Sequence, residues 1–314
     1  MKICYLIQTH RCQEQIYRLV HTMNRLSPDA YIVVSHDFTA CNLNAEALNQ
    51  LPKVHVISGK GGRGTFDIVQ GYLDAVEWLR TNDFNFDWLI NLSGQDYPVQ
   101  PLHKVEEFLA KTSCDGFLEF FRVFSEESHW SRREGNSRYF YRYQKFSSPL
   151  SERLVKFLNP IKVVNYIQPF FRINLSYSML GTRINPPFTE DFNCYGGSFF
   201  CTLSKKCVNY LYDFYLENPE VVEYYKGVCV SDESFIQTIL ANNRSLNLQN
   251  DPKRYFDFSQ TRDGRPHTLT IHDYSSITQS DSHFARKFDI TVDKEVLDYL
   301  DNKILNVALE NSLM

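Results

Sequence analysis

The chain reads as an α/β protein with a mostly parallel central sheet and helices on both faces. Three observations predict this. Short apolar runs alternate with segments of helical period, each run ends in a polar turn, and no internal repeat or low-complexity linker divides the chain. Such alternation argues for parallel strands joined by helices that cover both faces of a sheet. At 314 residues the chain can bury one large core or two modest ones.

The elements follow in order. Residues 3–7 form a short apolar run, and residues 13–26 place Ile16, Leu19, Val20 and Met23 at helical spacing. Residues 31–34 are the next strand and end at Ser35-His36-Asp37. Residues 54–57 are a third strand and lead into the glycine-rich stretch 59–64. Residues 65–80 return to the helical period through Ile68, Val69, Tyr72, Leu73, Val76 and Leu79. Residues 88–92 are a fourth strand, running into Ser93-Gly94-Gln95-Asp96-Tyr97-Pro98. In parallel sheets, ligands sit outside the carboxyl ends of the strands. Asp37, the 59–64 stretch and the Ser93–Asp96 turn all fall at such ends. Residues 125–190 are aromatic and locally basic (Arg132, Arg133, Arg138, Arg142, Lys145) and read as an irregular insertion over the sheet.

Composition bounds the function. Hydrophobic content of 43% and charged content of 22% are ordinary for a soluble globular protein. A formal charge of −4 argues against nonspecific nucleic-acid binding, which needs a basic face. The 24 Phe and 19 Tyr either fill the core or supply sugar-stacking platforms. Eight cysteines show no CxxC spacing or metal pattern, so reduced thiols in a cytoplasmic protein are expected. The opening apolar run meets Gln8 too soon for a secretory signal. No run approaches the roughly 20 apolar residues needed to cross a bilayer. Around 153–172, Arg153, Lys156 and Lys162 mix with Leu, Ile, Val and Phe. Peripheral attachment at an inner membrane face stays open there, and a half-buried helix explains the segment equally well.

No Asp-x-Asp, the usual metal–nucleotide signal of sugar-nucleotide enzymes, occurs in the sequence. Holding a diphosphate without a metal needs fixed cations, and Phe284-Ala285-Arg286-Lys287-Phe288-Asp289 sets two between aromatics. A solvated pair is the plain alternative. Asp232-Glu233 precedes the amphipathic Phe235, Ile236, Ile239 and Leu240, so the acidic pair is expected to open a helix. Its carboxylates either complement the helix dipole or include a general base. The 59–64 stretch is read as a phosphate cradle or a plain turn. Asp37 is read as a ribose or uracil contact or a turn cap. Gly196-Gly197 allows close approach of a ligand or backbone, or forms a bend. Together the cations and acidic groups point to a metal-independent transferase using a nucleotide sugar.

The stretches Ile3-Cys4-Tyr5-Leu6-Ile7-Gln8-Thr9-His10, Asn91-Leu92-Ser93-Gly94-Gln95-Asp96-Tyr97-Pro98, Gly196-Gly197-Ser198-Phe199-Phe200, Ser231-Asp232-Glu233-Ser234-Phe235 and Phe284–Asp289 carry a family resemblance. In order and spacing they resemble glycosyltransferase family 14, which holds core-2/I-branching β-1,6-N-acetylglucosaminyltransferases, protein xylosyltransferases and bacterial relatives. The resemblance implies a GT-A-like nucleotide-sugar fold, an inverting mechanism, no metal and no cofactor beyond the UDP-sugar donor. It makes Glu233 the catalytic base and Lys287 a diphosphate ligand, helped by Arg265 or Arg286. Asp37 becomes a nucleoside contact, while Glu119, Asp96 and Phe258 become acceptor-binding residues. Phe258 stands where the branching enzymes carry tryptophan. The membrane anchor and disulfides of the animal enzymes have no counterpart signal here, which suggests a bacterial-type member. The expected layout is one domain, 1–314. Residues 1–124 form its nucleotide-binding part, 125–190 the insertion, and 191–314 the acceptor, catalytic and diphosphate-binding part. Expected partners are the UDP-sugar and a glycan or other hydroxyl-bearing acceptor. A catalytically inactive sugar- or nucleotide-binding protein is the rival reading.

Overall fold

The structure is a computed structural model that describes residues 1–62, 64–146, 154, 157–259 and 264–312. Arg63 of the glycine-rich stretch, and Arg153 and Lys156 of the basic segment, lie outside the described residues. The expected α/β architecture is present. A seven-stranded sheet is ordered β13-β6-β12-β4-β1-β2-β3. Its members are β1 Ile3–Thr9, β2 Tyr31–His36, β3 Val54–Ser58, β4 Trp88–Ser93, β6 Gly116–Leu118, β12 Thr202–Ser204 and β13 Leu248–Asn250. β1 pairs in parallel with β2 and β4, β2 with β3, and β6 with β13. Only β12 is reversed, antiparallel to both neighbours.

Strand alternation divides the core into two layers. Along β1, Ile3, Tyr5 and Ile7 point into one layer, with Ile16, Leu19 and Met23 of the helix Gln13–Leu26 and Val296, Leu297 and Leu300 of the helix Glu295–Ser312. Cys4 and Leu6 point into the other, with Val69, Tyr72 and Val76 of the helix Asp67–Thr81 and Cys207, Val208 and Leu211 of the helix Lys205–Glu217. Both faces are therefore covered by helices. The first helix has the expected bounds, and β1 to β4 run one or two residues beyond the expected strands. No helix among the described residues is long and apolar enough to cross a membrane.

A small second sheet, β14-β15-β5, locks the C-terminal segment to the end of β4. It joins β14 Arg254–Tyr255, β15 Phe284–Ala285 and β5 Tyr97–Pro98. The segment 125–190 is more regular than its sequence suggests. It carries the helix Arg132–Tyr139 and an antiparallel sheet, β8-β10-β9, of Tyr141–Lys145, Met179–Arg183 and Phe171–Asn174. Within β8, Tyr141 and Tyr143 turn inward while Arg142 and Gln144 face solvent, a period of two that builds a half-buried strand.

His283 is buried beside β15, its ring 4.9 Å from that of Phe108 and its backbone N–H donating to the Lys253 carbonyl at 3.0 Å. Burial, followed by the nearby Arg254 and Lys253 charges, pushes the imidazole pKa down from 6.5 to about 3. Between these values the unfolded chain takes up a proton that the folded chain refuses, so stability falls as pH falls. Urea unfolding should show His283→Gln losing stability less steeply between pH 4 and 6, by about 1.4 kcal/mol per pH unit.

Candidate functional site

Parallel strands deliver their following loops to one edge, where ligands of such sheets sit. Asp37 follows β2, the glycine-rich stretch follows β3, Ser93–Asp96 ends β4 and Glu119 follows β6. Because β12 is reversed, residues 196–200 enter it from that same edge.

Asp37 is tied to the glycine-rich stretch. Its Oδ1 accepts from the Thr39 hydroxyl at 2.6 Å and the Thr39 N–H at 3.0 Å, and its Oδ2 accepts from the Gly61 N–H at 3.0 Å. The Thr39 hydroxyl, more than the other donors, holds this carboxyl below its ordinary value. The loop then reaches the catalytic candidate. Gly64 adopts φ +74°, and a Cβ there would stand 2.3 Å from the Tyr177 ring. Its carbonyl accepts from the Val230 N–H at 3.1 Å, one residue before the turn Ser231–Glu233.

That turn corrects the expected helix start. Ser231–Glu233 is a single 3-10 turn, and the α-helix begins afterwards at Phe235–Ala241. Asp232 and Glu233 are thus about 120° apart around the turn instead of the 100° of an α-helix. The charge facing Glu233 is a side chain, not a helix dipole. Arg138 Nη1 donates to Glu233 Oε2, and Nη2 donates to Glu134 Oε1 at 2.6 Å. The guanidinium lies 4.0 Å from the centre of the Trp130 ring, a cation–π seat that fixes its plane. Burial disfavours the charge on Arg138, but Glu233 and Glu134 outweigh it and raise its pKa.

The chain 196–198 joins the two acidic candidates. The Gly197 N–H donates to the Glu233 carbonyl at 2.9 Å, and the next amide, Ser198 N–H, donates to Glu119 Oε2 at 2.9 Å. Gln237 secures the Ser198 carbonyl at 2.6 Å. Glycine is required here by close approach. A Cβ on Gly197 would sit 2.0 Å from the Glu119 carbonyl oxygen, and one on Gly196 would sit 2.5 Å from the Trp130 ring. His129 Nδ1 lies 3.6 Å from Glu119 Oε1.

The basic pair is not solvated. Arg286 packs 3.8 Å from the centre of the Phe200 ring, half-buried, and its Nε is enclosed without a hydrogen-bond partner. Burial lowers its pKa while Asp96 opposes that shift. Asp96 itself is fully buried, its Oδ2 accepting from the Ser93 hydroxyl and, at 2.6 Å, from the Ser93 N–H. It faces Arg254, also buried, whose Nη2 donates to the Asn91 carbonyl at 3.0 Å and whose pKa burial pushes down to about 10. The acceptor-contact expectation for Asp96 meets its burial here: at 0% exposure, within the electrostatic reach of both arginines, it presents no surface for an acceptor to touch. Lys287 is half-buried and Arg265 exposed. Their segments run side by side, with the Leu269 N–H donating to the Lys287 carbonyl at 2.9 Å. The adjoining His267 N–H donates to the Asp257 carbonyl at 2.9 Å, one residue before the exposed Phe258. Asp257, His267 and Asp273 bring three candidate ligand atoms within 4.8 Å of one another. Those atoms already serve local structure: His267 Nε2 meets Asp273 Oδ2 at 3.1 Å, Asp273 caps Thr270, and Asp257 accepts from Ser259.

Sequence reasoning left Arg138 and Trp130 out of the site. Arg138 sits in the helix Arg132–Tyr139 and Trp130 just before its cap; the helix has no apolar period to reveal it, and only the Ser131 cap over Glu134 signals its start.

The chain is similar to known proteins. The sequence model of the Branch family, described as Core-2/I-Branching enzyme, matches residues 3–282. Among curated proteins, beta-glucuronosyltransferase GlcAT14A of Arabidopsis thaliana is 24% identical over 269 residues, covering 84% of this chain and 53% of the relative. Xylosyltransferase 2 of Rattus norvegicus is 24% identical over 261 residues, covering 76% of this chain and 26% of the relative. The chain thus spans about half the length of the plant relative and about a quarter of the rat one. A solved 4-diphosphocytidyl-2C-methyl-D-erythritol synthase from Anaerococcus prevotii aligns with a TM-score of 0.31 and 11% identity, covering 78% of this chain and 98% of that one.

Because Arg138 holds the Glu233 carboxylate, Arg138→Leu should lower kcat by about 10–10²-fold in steady-state transfer assays while KM changes by no more than a few-fold. Arg138→Lys should recover only part of the loss, because an ammonium supplies the charge without the planar fork.

Proposed function

Because this chain belongs to the core-2/I-branching enzyme family, we propose that it is an inverting, metal-independent glycosyltransferase moving a sugar from a UDP-sugar to an acceptor hydroxyl. The observation that carries this reading is the joining of Glu233 and Glu119 through successive amides of 197 and 198, at the strand-end edge that also holds Asp37. Asp37 and the glycine-rich stretch receive the nucleoside. Lys287, with Arg265 from the adjoining segment, receives the diphosphate. Arg286 supports the same segment from within, clasped to Phe200 and facing Asp96.

In the reaction, Glu233 takes the proton of the acceptor hydroxyl as its oxygen bonds to the anomeric carbon. The carbon–oxygen bond to the diphosphate breaks with its electron pair, and UDP leaves. One displacement inverts the anomeric centre. Glu119 holds another acceptor hydroxyl, with His129 beside it, and Trp130 and Phe258 offer aromatic surface for sugar rings. GlcNAc or xylose is the transferred sugar suggested by the resemblance. The Arabidopsis relative adds glucuronic acid as a third donor type. A panel of UDP-GlcNAc, UDP-xylose and UDP-glucuronic acid, read as thermal stabilisation, selects among them by mass action. The rival reading, a binding protein without catalysis, fails once UDP is released from intact donor only when acceptor is present.

Two variants test the assignment together. Glu233→Gln should lower kcat by about 10²–10⁴ with UDP affinity within a few-fold of wild type. Lys287→Ala should weaken UDP and UDP-sugar alike by about one to two decades in calorimetry, the worth of a charge-assisted contact. Near-wild-type turnover of a folded Glu233→Gln protein overturns the mechanism.

Turnover should also persist in excess chelator, since side-chain cations here take the charge-neutralising role that a divalent ion fills elsewhere. Loss of activity restored by added manganese would refute metal independence.

A further inference from the structure

The segment 157–171 stands apolar side chains in water. Phe157 is 80% exposed, Ile167 74% and Phe170 66%, with Val163 and Tyr166 beside them more than half exposed. Val163 ends the 3-10 turn Asn159–Val163, Tyr166 and Ile167 lie in the short helix Val164–Ile167, Phe157 stands two residues before that turn and Phe170 immediately before β9. A contiguous exposed set of this size is uncommon on a soluble surface and marks an interaction face.

Charge identifies the partner. Residues 141–186 contain seven Lys or Arg and one acidic residue, a net of +6 in a chain of −4, which leaves −10 for the remainder. A cleft of about 410 Å³ opens beside the apolar face and is lined by Arg133, Lys162 and Arg172. Among the described residues, none of these three forms an ion pair with a carboxylate. Arg133 lies 3.5 Å from the centre of the exposed Tyr166 ring, which joins the cationic and apolar parts. Apolar side chains backed by cations match the interface of a bilayer bearing anionic headgroups. A second copy of this chain would need acidic groups opposite the cations, and among the described residues lining the cleft only Glu134 is acidic, already paired with Arg138.

We propose that residues 157–171 dock on an anionic lipid bilayer, with Phe157, Ile167 and Phe170 entering the acyl boundary and Lys162 and Arg172 meeting lipid phosphates. The cleft shares Glu134 with the Arg138–Glu233 pair, so docking sets the acceptor side of the site close to the lipid surface.

Co-sedimentation with phosphatidylglycerol-containing vesicles, against pure phosphatidylcholine vesicles and buffered inorganic phosphate, tests this. The full chain should sediment with anionic vesicles and at least tenfold less with neutral ones, and phosphate at millimolar concentration should not compete. The triple substitution Phe157→Ser, Ile167→Ser, Phe170→Ser should weaken binding by about tenfold or more. The pair Lys162→Glu, Arg172→Glu should weaken it by at least tenfold, on the order of fivefold per cation removed. Melting temperature and turnover on a soluble acceptor should remain near wild type in the triple variant, since the altered side chains are exposed. Absence of anionic-vesicle binding, or binding unchanged in both variants, overturns the proposal. A concentration-dependent dimer abolished by the triple substitution, without vesicle binding, overturns it in favour of a second copy.

Discussion

The direction of the strands is the constraint on which the site depends. In the seven-stranded sheet only Thr202–Ser204 is reversed, so the loops after the other strands collect on one edge. The reversed strand adds to this instead of breaking it, because its approach, 196–200, also starts there. Residues as distant as Asp37, Glu119 and Glu233 can therefore share a site without any long excursion of the chain. Strands this buried have no freedom to slip, since a one-residue shift would exchange the two core layers.

A second ionic arrangement fixes the other side of the edge. Asp96 lies in the turn after Trp88–Ser93, while Arg254 and Arg286 arrive from the C-terminal part. Enclosed charges such as these are costly, and Asp96 partly offsets the burial of both arginines while the arginines oppose each other. Around them, Gln95 and Gln15 side chains hold the Phe288 carbonyl at 3.1 Å each, and the Phe288 N–H returns to the Gln95 carbonyl at 2.9 Å. The segment bearing Lys287 is thereby pinned to the sheet before any ligand arrives, the preorganisation that the proposed diphosphate contact calls for.

Much of this was legible in the sequence, and the failures are specific. Periodicity located the first four strands and two long helices because each is decided by burial on a regular repeat. It failed for Arg132–Tyr139, whose residues are polar on every side and whose stability comes from Ser131, Trp130 and the carboxylates of Glu134 and Glu233. It also failed at Ser231–Glu233, where the spacing of Phe235 onward announces a helix but Val230, in the left-handed region at φ 57°, turns the chain into a tighter coil first. Asp96 illustrates a third limit. Its turn is plain from Ser93-Gly94-Gln95-Asp96, yet the charges it feels come from two arginines more than 150 positions later, which no local pattern can announce.

The two successive peptides flanking Gly197 bond one to the Glu233 main-chain carbonyl and the other to the Glu119 carboxylate, two residues 114 positions apart. The neighbours of Gly197 leave no room for a side chain there, so this short stretch is held close between both partners. The two acidic positions are for that reason coupled through one stretch of backbone. Substitutions at 119 and 233 should deviate from additivity in a double-mutant cycle although their side chains share no direct bond. A lineage that reshapes one end of this link to accept a different hydroxyl must retune the other in step. Covariation between positions 119, 197 and 233 is the trace such drift would leave.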